Sequence, residues 1–249
     1  MAWKAAVLLI FACLAFARPS GARDPVAPVM PPLLATRTVF SVSWLPGFCE
    51  TRAKRPECRE QTAERFDARH FTLHGLWPVK KRFCGVSADL RRTDRRGRWL
   101  ELPAVDLSKA TAERLATVMP GIRSGLDRHQ WLASGTCQPL SPEAYFARQI
   151  AFLDRLNASP VRALFESRLG MSVRQEEVAA AFAEAFGDGA GTRIRLRCAR
   201  DGSRTVITGM TIGLGGEGGL EGDMAELILA SAQTRGTCLE GVVDAAGLQ

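Results

Sequence analysis

The alternation of apolar and polar positions is cleanest over residues 38–44, where Phe40, Val42 and Trp44 face one way and Val39, Ser41 and Ser43 the other. That period of two predicts a half-buried strand. Residues 69–76 repeat it, with His70, Thr72 and His74 on one face and Phe71 and Leu73 on the other, and Gly75 and Pro78 close the segment. The middle of the chain shifts to helical spacing. Ser108 stands as an N-cap before the stripe Leu115, Val118 and Met119, which stops at Pro120-Gly121, and a second helix is expected to carry residues 129–134. Ser141-Pro142 opens a third through Tyr145, Phe146, Ile150, Leu153 and Leu156, and Ser159-Pro160 repeats the device. Ser172 with Gln175 reads as a capping box ahead of an alanine-rich run that ends at Gly187. Period two then returns. Residues 193–199 alternate Ile194, Leu196 and Cys198 with arginines, and residues 205–214 continue in β-rich character after the turn at Asp201-Gly202. A short apolar helix over 224–232 precedes the terminus. Helices in the middle and strands at both ends predict an α+β fold.

Outside this pattern lies the start of the chain. Lys4 precedes an apolar run from Ala5 to Ala17, too short to span a bilayer, so residues 1–22 read as an export signal. Cleavage fits after Ala17 or after Ala22. Residues 23–35, rich in Pro and Ala with little periodicity, read as a flexible lead-in, and residues 36–249 as one domain of ordinary core size. Of the 7 cysteines, Cys13 lies in the signal. Cys49, Cys58, Cys84, Cys137, Cys198 and Cys238 remain, an even set that in an exported chain argues for disulfides and an oxidising compartment, periplasmic or extracellular. Spacing leaves about 15 connectivities open. No pair has the C-x-x-C spacing of a zinc site, so neither a metal nor a cofactor is expected.

The 249 residues carry a formal net charge of +7, and losing the signal removes Lys4 and Arg18 but no acid. Basic residues cluster at Arg52, Lys54, Arg55 and Arg59, at Lys80, Lys81 and Arg82, and between Arg91 and Arg98. Most such clusters are solvated surface. The second group differs in its place, directly after Trp77-Pro78, where it could steer a phosphate backbone towards His74.

Two short runs carry the chemistry. The first is Phe71-Thr72-Leu73-His74-Gly75-Leu76-Trp77-Pro78, and the second is His129-Gln130-Trp131-Leu132-Ala133-Ser134-Gly135-Thr136-Cys137. Together they resemble the paired active-site signatures of the ribonuclease T2 family, whose second signature typically reads His-Glu-Trp, two variable or lysine-bearing positions, then His-Gly-Thr-Cys. The likeness extends to Ser43-Trp44-Leu45-Pro46-Gly47-Phe48-Cys49, to Ser124-Gly125-Leu126-Asp127-Arg128 and to Glu240-Gly241-Val242-Val243-Asp244, so it covers residues 36–249. It implies a central, mainly antiparallel sheet with helices packed around it and the disulfides Cys49–Cys58, Cys84–Cys137 and Cys198–Cys238. It also implies that His74 is the general acid, that His129 helps hold phosphate and that Trp77 stacks a base.

Such enzymes cleave RNA by attack of the 2'-hydroxyl on the neighbouring phosphate, through a 2',3'-cyclic phosphate and without a metal. Two imidazoles and a phosphate-facing cation suit that reaction. Here Gln130 replaces the family's Glu, Ala133 its Lys, and Ser134 its second catalytic histidine. Neither serine nor alanine supplies a base or a charge at neutral pH. The expectation is therefore an RNA-binding or nucleotide-binding protein with cleavage strongly reduced or absent, and with His129 as a makeshift base for what remains. RNA or nucleotides are the expected partners, DNA is not, and no membrane association should follow signal removal. Nothing in the sequence specifies an oligomeric state. Two alternatives stand beside this reading: full endoribonuclease activity through His74 and His129, or a periplasmic interaction protein with no nucleic-acid function. His70, Trp99 and Trp131 are expected to be structural, and Gln130 to hydrogen-bond Ser134 along one helix face.

Overall fold

A computed structural model describes Met1, residues 34–216 and residues 219–247. The expected export signal, Met1 apart, and most of the expected lead-in lie outside the described residues. Six strands form one sheet: β1 (Thr38–Ser43), β2 (Thr72–Pro78), β3 (Ser172–Arg174), β4 (Ile194–Asp201), β5 (Arg204–Leu214) and β6 (Glu240–Val242). Their order is β2-β1-β5-β6-β3, with β4 on β5, and every pairing is antiparallel except β5 with β6. Among the described residues the helices are α1 (Leu45–Glu50), α2 (Pro56–Arg59), α3 (Ala88–Arg95), α4 (Lys109–Val118), α5 (Leu126–Ala133), α6 (Pro142–Asn157), α7 (Pro160–Ser167), α8 (Gln175–Phe186) and α9 (Met224–Leu229). The expected α+β class with a mainly antiparallel sheet is what forms.

The two faces of the sheet differ as the alternation requires. Phe40 and Val42 of β1, Leu73 and Leu76 of β2, and Met210 and Ile212 of β5 point into a core closed by α6. There the Phe40 and Phe152 rings meet edge to face at 5.8 Å, and the Tyr145 hydroxyl donates to the Leu76 carbonyl at 2.8 Å. The caps read from Ser108, Ser141 and Ser159 form, each serine side chain accepting a backbone N–H at the start of its helix. Asn157 spans from the end of α6 to Phe71, accepting from its N–H and donating to its carbonyl, both at 3.0 Å.

Two local expectations are corrected. The strand expected over 69–76 starts at Thr72, because residues 66–68 form a single 3-10 turn and His70 folds back on it. The His70 ring stacks on Phe66 at 4.4 Å and its Nδ1 lies 2.9 Å from the Phe66 carbonyl oxygen. The capping box assigned to Ser172 sits two residues later. Ser172 pairs with Val242 in the sheet, and it is the Glu177 carboxylate that accepts the Arg174 N–H at 2.9 Å. The polar stretch between Cys49 and Cys58 contains the end of α1 and most of α2.

The cysteines pair as Cys49–Cys58, Cys84–Cys137 and Cys198–Cys238. The middle bridge fastens the loop after β2 to the turn after α5. That loop also donates the Phe83 N–H to the Ala133 carbonyl at 3.1 Å, and it holds Lys80 and Phe83 at φ of 64° and 55°. Two non-glycine residues in the left-handed region cost roughly 1–3 kcal/mol each, a cost the bridge and its hydrogen bonds must offset.

Candidate functional site

His74 owes its position to an irregularity in β2. Along the β1–β2 pairing Ser41 faces Gly75 and Val42 faces Leu73, so His74 is an extra residue, a β-bulge. A regular strand would send Leu73 and Leu76, three apart, to opposite faces. The bulge lets both enter the core while His74 and Gly75 turn together to the polar face, the re-aiming for which bulges are used beside active sites. There His74 Nδ1 lies 3.3 Å from Ser43 Oγ.

Trp77 and Gln130 lock across Gly75. The indole N–H of Trp77 donates to Gln130 Oε1 at 2.7 Å, and a Cβ on Gly75 would run into both partners. This explains why glycine must follow His74, and it redirects Gln130. The side chain expected to meet Ser134 is committed to Trp77 instead, and only the backbone links Ser134 N–H to the Gln130 carbonyl. The Trp77 ring stands nearly perpendicular to His74, with centroids 5.7 Å apart.

His129 projects from α5 towards the same space. Its Nδ1 lies 2.5 Å from Asp94 Oδ1, and its ring stacks on Trp99 at 4.2 Å. The carboxylate accepts Nδ1–H and so leaves Nε2 as the nitrogen free to meet a ligand. Asp94 is the residue that sequence reading missed. It lies on α3 within the arginine-rich stretch 91–98, whose basic residues masked it. The signal was available in Ser87, whose hydroxyl caps this helix. Trp99, expected to be structural, packs against the core and also walls the cavity.

His74, Trp77, Lys80, Lys81, Arg82, Trp99, His129, Gln130 and Ser134 all line one cavity of about 610 Å³. Every candidate site residue named from the sequence is gathered there except Ala133. Ala133 is 1% exposed and packs beneath the loop after β2, outside the cavity lining. Ser134 caps α5 and is 4% exposed. Burial, with help from the Arg197 and His129 charges, holds His74 well below the usual imidazole range, at about 4. At neutral pH His74 is therefore uncharged. Among the described residues no group of His, Cys, Asp and Glu side chains is arranged to hold a metal ion.

Comparison with known proteins gives consistent matches. The Ribonuclease T2 family model matches residues 36–218. Ribonuclease I of Escherichia coli (strain K12) is 30% identical over 201 residues, which is 72% of this chain and 74% of that protein. Among solved structures, a point mutant of RNase MC1 in complex with 5'-UMP superposes with a TM-score of 0.55 at 17% identity, covering 84% of this chain and 99% of the other. RNase MC1 comes from bitter gourd seeds. Japanese pear S3-RNase gives a TM-score of 0.51 at 16% identity, covering 71% and 84%. At these identities the structural matches speak to the fold.

Proposed function

Because the chain belongs to the ribonuclease T2 family, we propose that it is an exported RNA-binding or nucleotide-binding protein whose endoribonuclease chemistry is strongly reduced or absent. One observation carries the reading. The cavity presents a base-stacking indole, Trp77, two imidazoles and the cations Lys80, Lys81 and Arg82, yet the position beside His129 where a second basic imidazole would act holds the hydroxyl of Ser134. General acid or base assistance is worth about 10²–10⁴ in rate, and a lost oxyanion-type donor about 10²–10³. The two losses belong to one site and are not expected to multiply. The bound 5'-UMP of the RNase MC1 mutant supports the nucleotide assignment, and the three disulfides support export.

The residual chemistry open to these residues is transphosphorylation. His129, its proton fixed on Nδ1 by Asp94, offers Nε2 to the 2'-hydroxyl and becomes the base, while Asp94 stabilises the imidazolium that forms. His74 protonates the departing 5' oxygen. With its pKa at about 4 it performs this step best in acid. The Asp94–His129 pair is also the observation that favours the second reading, a fully competent enzyme, since it is a complete base assembly.

The deciding experiment incubates purified, oxidised protein with a fluorogenic RNA oligonucleotide in EDTA from about pH 4 to about pH 8, beside His74→Ala and Ser134→His. The proposal expects little or no wild-type cleavage and a gain of about 10²–10⁴ in Ser134→His. Ordinary wild-type turnover that vanishes in His74→Ala would establish the second reading. Ala133→Lys is not expected to restore activity, because residue 133 is buried away from the cavity.

A further inference from the structure

The sheet face that carries His74 continues well past the cavity. Directly paired residues share a face, and the pairings run Ser43 to Gly209 and Gly209 to Arg197, then Ser41 to Thr211 and Thr211 to Arg195. Two rows therefore cross β1, β5 and β4 on the polar side, one starting at Ser43, which touches His74, and ending at Arg197. A bulge in β5 turns Thr208 to that face beside Gly209. Gly209, at the middle of that row, bears no side chain.

These rows floor a trough of about 970 Å³ to which Arg195, Arg197, Arg200 and Arg235 all contribute, with Thr211 and Thr234 among them. Trp77 lines both the trough and the His74–His129 cavity, so the two adjoin at that indole. The one acid among the lining residues is Glu240. Elsewhere many arginines find carboxylates, as Arg65 does with Asp67, Arg114 with Asp154 and Arg204 with Glu50, Asp201 and Asp244. Among the described residues Arg195, Arg197, Arg200 and Arg235 form no ion pair. The bonds their side chains make are neutral, Arg195 with the Thr234 hydroxyl and Arg200 with that of Thr205 at 3.2 Å. The Arg197 charge reaches far enough to help hold His74 neutral.

We propose that this trough is a second, extended phosphate-binding site: it carries the single RNA strand that flanks the nucleotide held between His74 and His129, with Trp77 bordering both and Arg197 on the row that starts at Ser43. The proposal rests on the nucleotide reading of the cavity and adds the path of the strand. Single strands suit the site because a guanidinium row tracks a flexible backbone without reading base edges. Arg197 would also place a positive charge near the scissile phosphate from the sheet side.

The test separates cavity from trough. A labelled 2'-O-methyl RNA decamer, which cannot be cleaved, is titrated over a series of salt concentrations into wild type, Arg195→Ala, Arg235→Ala and the double variant. In parallel 5'-AMP is titrated while the imidazole resonances of the 3 histidines are followed. Each phosphate contact contributes about 0.7 to the salt slope for a single strand, so the double variant should lose about 1.4. Its response to 5'-AMP should match that of wild type. A decamer slope indifferent to both arginines overturns the trough, whatever the mononucleotide does. So does a decamer that binds no better than 5'-AMP, or does not bind at all. An arginine-dependent decamer slope without any 5'-AMP effect on His74 or His129 would keep the trough and refute the cavity.

Discussion

His74 makes folding stability depend on pH in a way that can be measured without any substrate. Its ring sits on the bulge, enclosed by the sheet and facing Arg197 and His129, and burial foremost lowers its pKa from 6.5 to about 4. Between those values the unfolded chain binds the proton and the fold does not, so stability rises with pH there. The contribution is present in full above about pH 6.5 and is lost as pH falls towards about 4. Between about pH 7.5 and about pH 4.5 the loss is about 2.5 kcal/mol. Asp67, Asp127 and Asp244, whose pKa values burial raises, titrate in the opposite sense, because the fold binds their protons more readily than the unfolded chain. Their share cancels when wild type is compared with His74→Gln. Urea unfolding of both proteins at the two pH values should show the wild type losing about 2.5 kcal/mol more than the variant. Equal losses would mean that the His74 ring is freely solvated, and the account of why it is neutral at the site would fall.

The same ring sets the pH profile of any cleavage. At pH 7 about one His74 in a thousand is protonated in the free protein. Cleavage also needs the imidazole base neutral, so kcat/KM, in wild type or in Ser134→His, should fall about tenfold per pH unit on the alkaline side and level off in acid once the base itself takes up a proton; a rate still rising towards about pH 8 would remove His74 as the acid. Asp94→Asn should weaken 5'-AMP binding about tenfold, since a hydrogen bond to a charged group is worth about 1.5–3 kcal/mol. The ¹⁵N shifts of His129 should show a changed tautomer, and an unaltered tautomer would leave Asp94 merely structural. Joint Cys84→Ser and Cys137→Ser replacement opens a crosslink across a sequence separation of 53 and should cost about 4 kcal/mol on chain-entropy grounds, read by urea unfolding; no loss would mean that the loop after β2 holds itself.

What could be read from the sequence divides along physical lines. Strands β1, β4 and β5 and the helices capped by Ser108, Ser141 and Ser159 were legible because alternation and caps are local signals. The cavity was legible because two signatures named its walls in advance. Long-range geometry was not. Nothing in residues 71–78 announces that His74 is the bulged residue, since a bulge exists only against a partner strand, here β1. Asp94 was hidden because its partner, His129, lies 35 positions away and its neighbours are arginines. The capping box failed at Ser172 because pairing with Val242 claimed that residue for the sheet before the helix began. Gln130 failed for the same kind of reason: Trp77, 53 positions away, offers a buried N–H that Ser134 does not.

The residues at 130 and 134 also make electrostatic sense together. Residue 130 is 2% exposed and must accept the Trp77 indole N–H. A glutamate there would accept that bond equally well, but as a buried carboxylate it would need a nearby cation. An imidazolium at 134 would be the obvious source. Without it, the charge would be buried unpaired, a penalty of several kcal/mol per ion even after relaxation. Glutamine keeps the acceptor oxygen, and so the Trp77 lock over Gly75, while removing the charge.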